Sequence, residues 1–237
     1  RNQWAAIGSG YTAYSITAMY PLFINKGAGG KLDIGFSGMN SSAGQYNTLN
    51  LALAVNYGLD LGASNHLCLS FMGGFIQNSL VNNLTYDNQY VNGSFSSGNP
   101  SNESLVNQSA NNGDIGFGLL WFMNPSRENA KLNAFIGVSG YHLNQPNQTL
   151  LGTNSPLPVR FNYQGGVKIF VGKSIDLSPN VRVNLQGGNV QVAAGLYADY
   201  NFGSSGAKAI VGMWYRSNDA IAFLAGFEYK YFTVGYS

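Results

Sequence analysis

Between residues 47 and 61 the chain alternates apolar with small or polar side chains without a break. Leu49, Leu51, Leu53, Val55, Tyr57, Leu59 and Leu61 hold one parity; Thr48, Asn50, Ala52, Ala54, Asn56, Gly58 and Asp60 hold the other. Successive side chains of a strand point to opposite faces, so this spacing makes one continuous apolar face and one polar face. The run is longer than the ~5–6 residues of an ordinary globular strand. It suits a tilted, membrane-crossing strand of ~9–11 residues with extensions at its ends.

The same period recurs down the chain. Ile115, Phe117, Leu119, Trp121 and Met123 form a second ladder, Phe161, Tyr163, Val167, Ile169 and Val171 a third, and Val192, Ala194, Leu196, Ala198, Tyr200 and Phe202 a fourth. Further strands are expected over 3–14, 32–39, 67–77, 132–143, 181–186, 207–216, 220–229 and 232–237, about twelve in all. Turn residues separate them: Asn124-Pro125-Ser126, Ser178-Pro179-Asn180, Gly187-Gly188-Asn189, Gly203-Ser204-Ser205-Gly206 and Ser217-Asn218-Asp219. Short turns imply antiparallel neighbours. Two connections, 78–113 and 144–159, are long, and short turns alternating with long loops is the asymmetry of outer-membrane barrels, whose long loops face outward.

Composition agrees with this reading and excludes others. Only 9% of the 237 residues are charged, against about a quarter in soluble domains; Asn, Gln, Ser, Gly and Tyr supply the polarity instead. No run approaches the ~20 apolar residues of a membrane helix, so residence in a bilayer has to come from a barrel, the other fold that satisfies every backbone group in lipid. A net charge of +2 without a basic cluster gives no footprint for nucleic acid. The single cysteine, Cys68, permits no internal disulfide or cysteine metal cluster.

Charges on the polar parity, Lys168, Arg182, Asp199, Lys208, Arg216, Glu228 and Lys230, are mixed in sign. On a lipid face each would cost about 2–4 kcal/mol at mid-bilayer, so they are expected to point into the lumen as internal pairs rather than as a single-sign selective ring. Tyr141, Tyr200, Phe202, Trp214, Tyr215, Tyr229 and Tyr231 cluster near strand ends as an interfacial girdle or simply as good strand formers. Gly27-Ala28-Gly29-Gly30-Lys31 lacks the spacing of a phosphate loop and reads as a turn. His66 and His142 have no companion ligands for a metal. A hydrolase trio can be assembled from His142, Ser139 and Asp114, but serine abundance supplies such trios by chance.

Three stretches carry a resemblance. Arg1-Asn2-Gln3-Trp4 with Ala6-Ile7-Gly8 and Tyr11-Thr12, then Gly137 through Asn147 (GVSGYHLNQPN), then Gly226 through Ser237 (GFEYKYFTVGYS) resemble, in order, motifs of the PorP/SprF family of outer-membrane proteins of the Bacteroidota. The resemblance implies a non-enzymatic role in type IX secretion and gliding: holding the C-terminal sorting domain of a secreted adhesin at the cell surface, with a periplasmic peptidoglycan-binding lipoprotein or motor component as a further partner. It implies no catalytic residues and no cofactor. On that reading the loops carry the contact surface, with Tyr86, Tyr90 and Phe95 in the first and Gln145, Pro146 and Asn147 in the second.

The expected fold is therefore all-β: one antiparallel transmembrane β-barrel domain over residues 1–237, embedded in outer-membrane lipid. About twelve strands are visible and fourteen are expected in the complete protein, parts of the first and last lying outside this sequence. A passive porin-like channel is the alternative function. An outer-membrane lipid hydrolase and a soluble β-sandwich lectin are weaker alternatives, the lectin because so many similar apolar faces resist burial in one sandwich.

Overall fold

The computed structural model describes residues 2–3, 10–22, 30–62, 64–80, 87–96, 108–125, 131–150, 152–203 and 206–237. Twelve strands of five residues or more follow one another: β2 (Tyr11–Leu22), β3 (Gly30–Ala43), β4 (Tyr46–Asp60), β5 (Asn65–Leu80), β8 (Ser109–Met123), β9 (Leu132–Tyr141), β10 (Arg160–Val171), β11 (Ile175–Gln186), β12 (Asn189–Asn201), β13 (Ala207–Arg216), β14 (Ala220–Tyr229) and β15 (Phe232–Tyr236). A short β1 (Asn2–Gln3) precedes them, and a separate small hairpin, β6 (Tyr90–Val91) with β7 (Ser94–Phe95), interrupts the connection between β5 and β8. Each strand pairs antiparallel with its sequence neighbours in one 13-stranded sheet, a meander with no crossover. No ladder joins β15 to β1 or β2 among the described residues.

The register sorts the side chains. Leu53 of β4 lies opposite Phe36 of β3 and Gly73 of β5, Phe71 opposite Val55 and Phe117, and Met213 of β13 opposite Leu196 and Phe223. The apolar parities thus merge across strands into one face, and that face is the exposed one: Leu53 is 61% accessible, Phe71 70%, Ile136 63% and Phe223 70%. Every charged residue within the long strands falls on the other face, namely Lys31, Asp33, Asp60, Asp114, Arg160, Lys168, Asp176, Arg182, Asp199, Lys208, Arg216 and Glu228. Among the described residues the buried hydrophobic side chains are Ile76 and Leu150, whereas Asn78, Asp114, His142, Asp176 and Asp199 are buried polar ones. A chain arranged this way is inside out for water and right for hydrocarbon.

Several sequence expectations need correction. Ser178-Pro179-Asn180 is not a turn but the middle of β11; the turn is Gly172–Ser174, with Gly172 at φ 65°. Proline fits there because the β10 ladder skips from Gly166 opposite Asn180 to Ile169 opposite Leu177, and the Asn180 amide donates to the Ser178 carbonyl at 2.7 Å. The opening strand does not run from 3 to 14: β1 and β2 are distinct, with β2 starting at Tyr11. Tyr141 and Trp214 lie on the lumenal parity, so they leave the girdle, while Tyr200, Tyr215 and Tyr229 stay on the outer face. Lys230 sits in a turn at φ 53° rather than in a strand. The expected phosphate-loop-like turn lies largely outside the described residues; Gly30 and Lys31 open β3.

Loop lengths do not simply alternate. Both long connections, 81–108 and 142–159, leave the same end of the sheet, but that end also carries tight turns at 44–45, 187–188 and 217–219. Gly187 and Gly188 both have positive φ, 55° and 81°, which a two-residue hairpin turn of the right twist requires.

Candidate functional site

The elaborated end is built where β8 outruns its neighbour. The β8–β9 ladder covers Phe117 to Met123 of β8 only, leaving the upper backbone of that strand without a strand partner on this side. The segment after β9 takes its place. The Leu143 amide donates to the Ile115 carbonyl at 3.1 Å, the Ile115 amide donates to Asn144 Oδ1 at 3.2 Å, and Asn144 Nδ2 returns to the Gly113 carbonyl at 2.7 Å. Asn112 Nδ2 donates to the Asn147 carbonyl at 2.6 Å. An asparagine side chain therefore substitutes for a strand residue, using its donor and acceptor as a peptide group would.

His142 anchors this loop from inside. Its Nδ1 lies 3.0 Å from Asp114 Oδ1, both side chains nearly enclosed, and its backbone sits at φ 60°. This joins two members of the trio weighed from sequence but not the third. Ser139 lies on the lumenal face of β9 opposite Asn162 and makes no hydrogen bond to His142 among the described residues. The pair is a tether between loop and wall. His66 is likewise paired with an aspartate, Asp60, at 2.6 Å, and stacks on Phe122 at the opposite end of the sheet.

The loop residues expected to meet a partner fall into different places. Tyr90 and Phe95 face each other across the β6–β7 hairpin, ring centroids 5.0 Å apart and edge to face, each 55% exposed. Gln145 is exposed, its backbone at φ 45°. Pro146 is buried. Asn147 spends its side chain inside the loop, Oδ1 accepting from the Ser155 amide at 2.9 Å and from the Thr149 amide at 3.3 Å. Tyr86 lies outside the described residues.

The lumen itself is divided by charge. Toward the short-loop end, Lys168 lies 3.1 Å from Asp199 and 3.3 Å from Asp176, and Lys208 lies 2.8 Å from Glu228, so the ions there are internally matched. Toward the elaborated end, a cavity of about 960 Å³ is lined by Arg160 and Arg182 with the amides of Asn162, Gln164, Asn184 and Gln191, under Leu157 and Pro158 of the long loop. Sequence alone anticipated mixed lumenal charge but not its separation along the lumen, because the pairing depends on strand register. Among the described residues no group of three or more His, Cys, Asp or Glu is placed to hold a metal.

An antiparallel meander with an apolar outer face, a polar lumen and two long loops at one end defines a β-barrel membrane protein. The sequence pattern of the family described as type IX secretion system membrane protein PorP/SprF matches residues 1–237, and the chain belongs to that family. The resemblance read from the three motif stretches is thereby borne out. Among solved structures, the translocator domain of the autotransporter NalP from Neisseria meningitidis is similar over 100% of this chain and 84% of that one, at 16% identity and a TM-score of 0.47. No curated protein matches the sequence.

Proposed function

We propose that this chain is a non-enzymatic outer-membrane component of type IX secretion that holds the C-terminal sorting domain of a secreted adhesin at the cell surface. The observation that carries the reading is the elaborated end, where the β6–β7 hairpin presents an exposed, mutually packed pair of aromatic rings, Tyr90 and Phe95, and the loop after β9 leaves the same end with Gln145 exposed. Large aromatic side chains held in place at low entropic cost are the residues that anchor protein interfaces. Pro146 and Asn147 serve this surface indirectly by fixing the loop's shape. The barrel supplies rigidity, and a periplasmic lipoprotein or motor component would engage the opposite end.

The test is to tag the full-length protein in its native host, extract it in mild detergent and identify what co-purifies. A large secreted protein bearing a sorting domain is expected, with recovery falling at least tenfold in Tyr90→Ala/Phe95→Ala. Equal recovery from the double variant would remove this surface from the proposal, and a barrel recovered alone would replace the anchoring role. In that case a passive channel is the second reading, favoured by the 960 Å³ lumenal cavity, and conductance in a planar bilayer decides it.

A further inference from the structure

We propose that the lumenal cavity at the elaborated end binds an acidic oligosaccharide. Among the described residues no carboxylate lines the cavity. Other lumenal cations are matched, Lys168 by two aspartates, Lys208 by Glu228 and Arg216 by Asp219, but Arg160 and Arg182 have no carboxylate partner among the described residues. Arg160 is held in place, its guanidinium 4.8 Å over the Tyr141 ring, and it lines the cavity without a carboxylate beside it among the described residues. Such a group retains unspent capacity for an anion. Arg182 is exposed to the lumen.

The spacing favours an oligomer over a single anion. Arg160 pairs with Gln186, and Arg182 stands four residues from Gln186 on the same strand; at the strand rise this separates the two backbone positions by about 13 Å. Between them the wall presents Asn162 and Asn184, with Gln164 opposite Arg182. Asn184 Nδ2 donates to Gln191 Oε1 at 3.1 Å, and the remaining amide donors and acceptors of this wall stand side by side, the complement of a hydroxyl, which is both. The backbone of β10 and β11 is committed to its ladders on both sides over this region, so this wall has no free strand edge for a peptide's main chain. What remains is recognition of hydroxyls by amides and of spaced acid groups by guanidinium ions.

Full-length protein in phospholipid nanodiscs free of lipopolysaccharide would be titrated calorimetrically with oligogalacturonate and with a neutral oligosaccharide of equal length. The acidic sugar is expected to bind at least tenfold more tightly than the neutral one, more weakly as salt rises. Arg182→Gln, at an exposed lumenal position without an ion-pair partner among the described residues, should weaken it about tenfold, and Arg160→Gln similarly. Absence of binding, equal affinity for the neutral sugar, or affinity unchanged in both variants would overturn the proposal. So would displacement of the sugar by oligoglutamate at equal concentration, which would make the site one for acidic peptide. Sorting-domain capture through Tyr90 and Phe95 is read independently of either result.

Discussion

Lys168 shows how a barrel accommodates charge in its interior. Its ammonium bridges two aspartates whose side chains are almost wholly enclosed, and removing it would leave both carboxylates buried without their cation, Asp176 keeping the hydrogen bond from Asn201 Nδ2. Breaking an ion pair whose carboxylates are buried costs about 3–5 kcal/mol from one side, whereas the Lys208–Glu228 pair, whose carboxylate is a third exposed, is worth about 1 kcal/mol or less. Lys168→Met is therefore expected to lower the urea midpoint of unfolding from lipid vesicles far more than Lys208→Met, and comparable losses would contradict this account. A second residue-scale device joins β12 and β13. Trp214 lies opposite Gly195 and Tyr197 opposite Gly212, so each ring lies over the glycine across from it, the two rings 6.0 Å apart. A Cβ on Gly212 would stand 2.5 Å from Cδ1 of Tyr197. Gly212→Ala should cost about 1–3 kcal/mol through overpacking, and most of that loss should vanish in a Tyr197→Ala background, a coupling that a double-mutant cycle measures.

At the scale of the strand, β4 makes the simplest prediction. Arginine at Leu53 should destabilise the folded barrel by about 2–4 kcal/mol, because it would place a charge on the lipid face; arginine at Ala54, one position on, should cost clearly less. Single cysteines at 51, 53 and 55 in a Cys68→Ser background should be quenched by a bilayer-embedded probe when labelled, and those at 52, 54 and 56 should not. This strand was legible in the sequence because period two needs no partner to be seen. The hairpin from Ala207–Arg216 to Ala220–Tyr229 was equally legible, its turn marked by Ser217-Asn218-Asp219. Ser178-Pro179-Asn180 reads as a turn from residue types alone, but proline is barred from a strand only where a ladder needs its missing N–H, and the β10 ladder skips Pro179. The tether of His142 to Asp114 was half visible as residue types, but their contact depends on β8 outrunning β9, which is a property of register and not of local sequence. Tyr141 and Trp214 stand near strand ends yet face the lumen, because parity, and not nearness to a strand end, decides which side a ring faces.

For the whole molecule, both long loops at one end and internally matched ions at the other give the wall a direction. If the elaborated end faces the medium, a membrane-impermeant maleimide should label Asn92→Cys and Gln145→Cys on intact cells, and Lys173→Cys only after the membrane is opened; the reverse pattern would invert the orientation. The alternation that builds the wall also governs the chain before it folds. Averaged along the sequence, each ladder dilutes its leucines and valines with amides and glycines, so the extended polypeptide has no stretch that a bilayer would arrest as a helix. The greasy surface comes into being only when neighbouring strands pair and their parities align. Such a chain can cross one membrane as an unremarkable polar polymer and become a resident of the next, its affinity for lipid being a product of folding rather than a property of the sequence in transit.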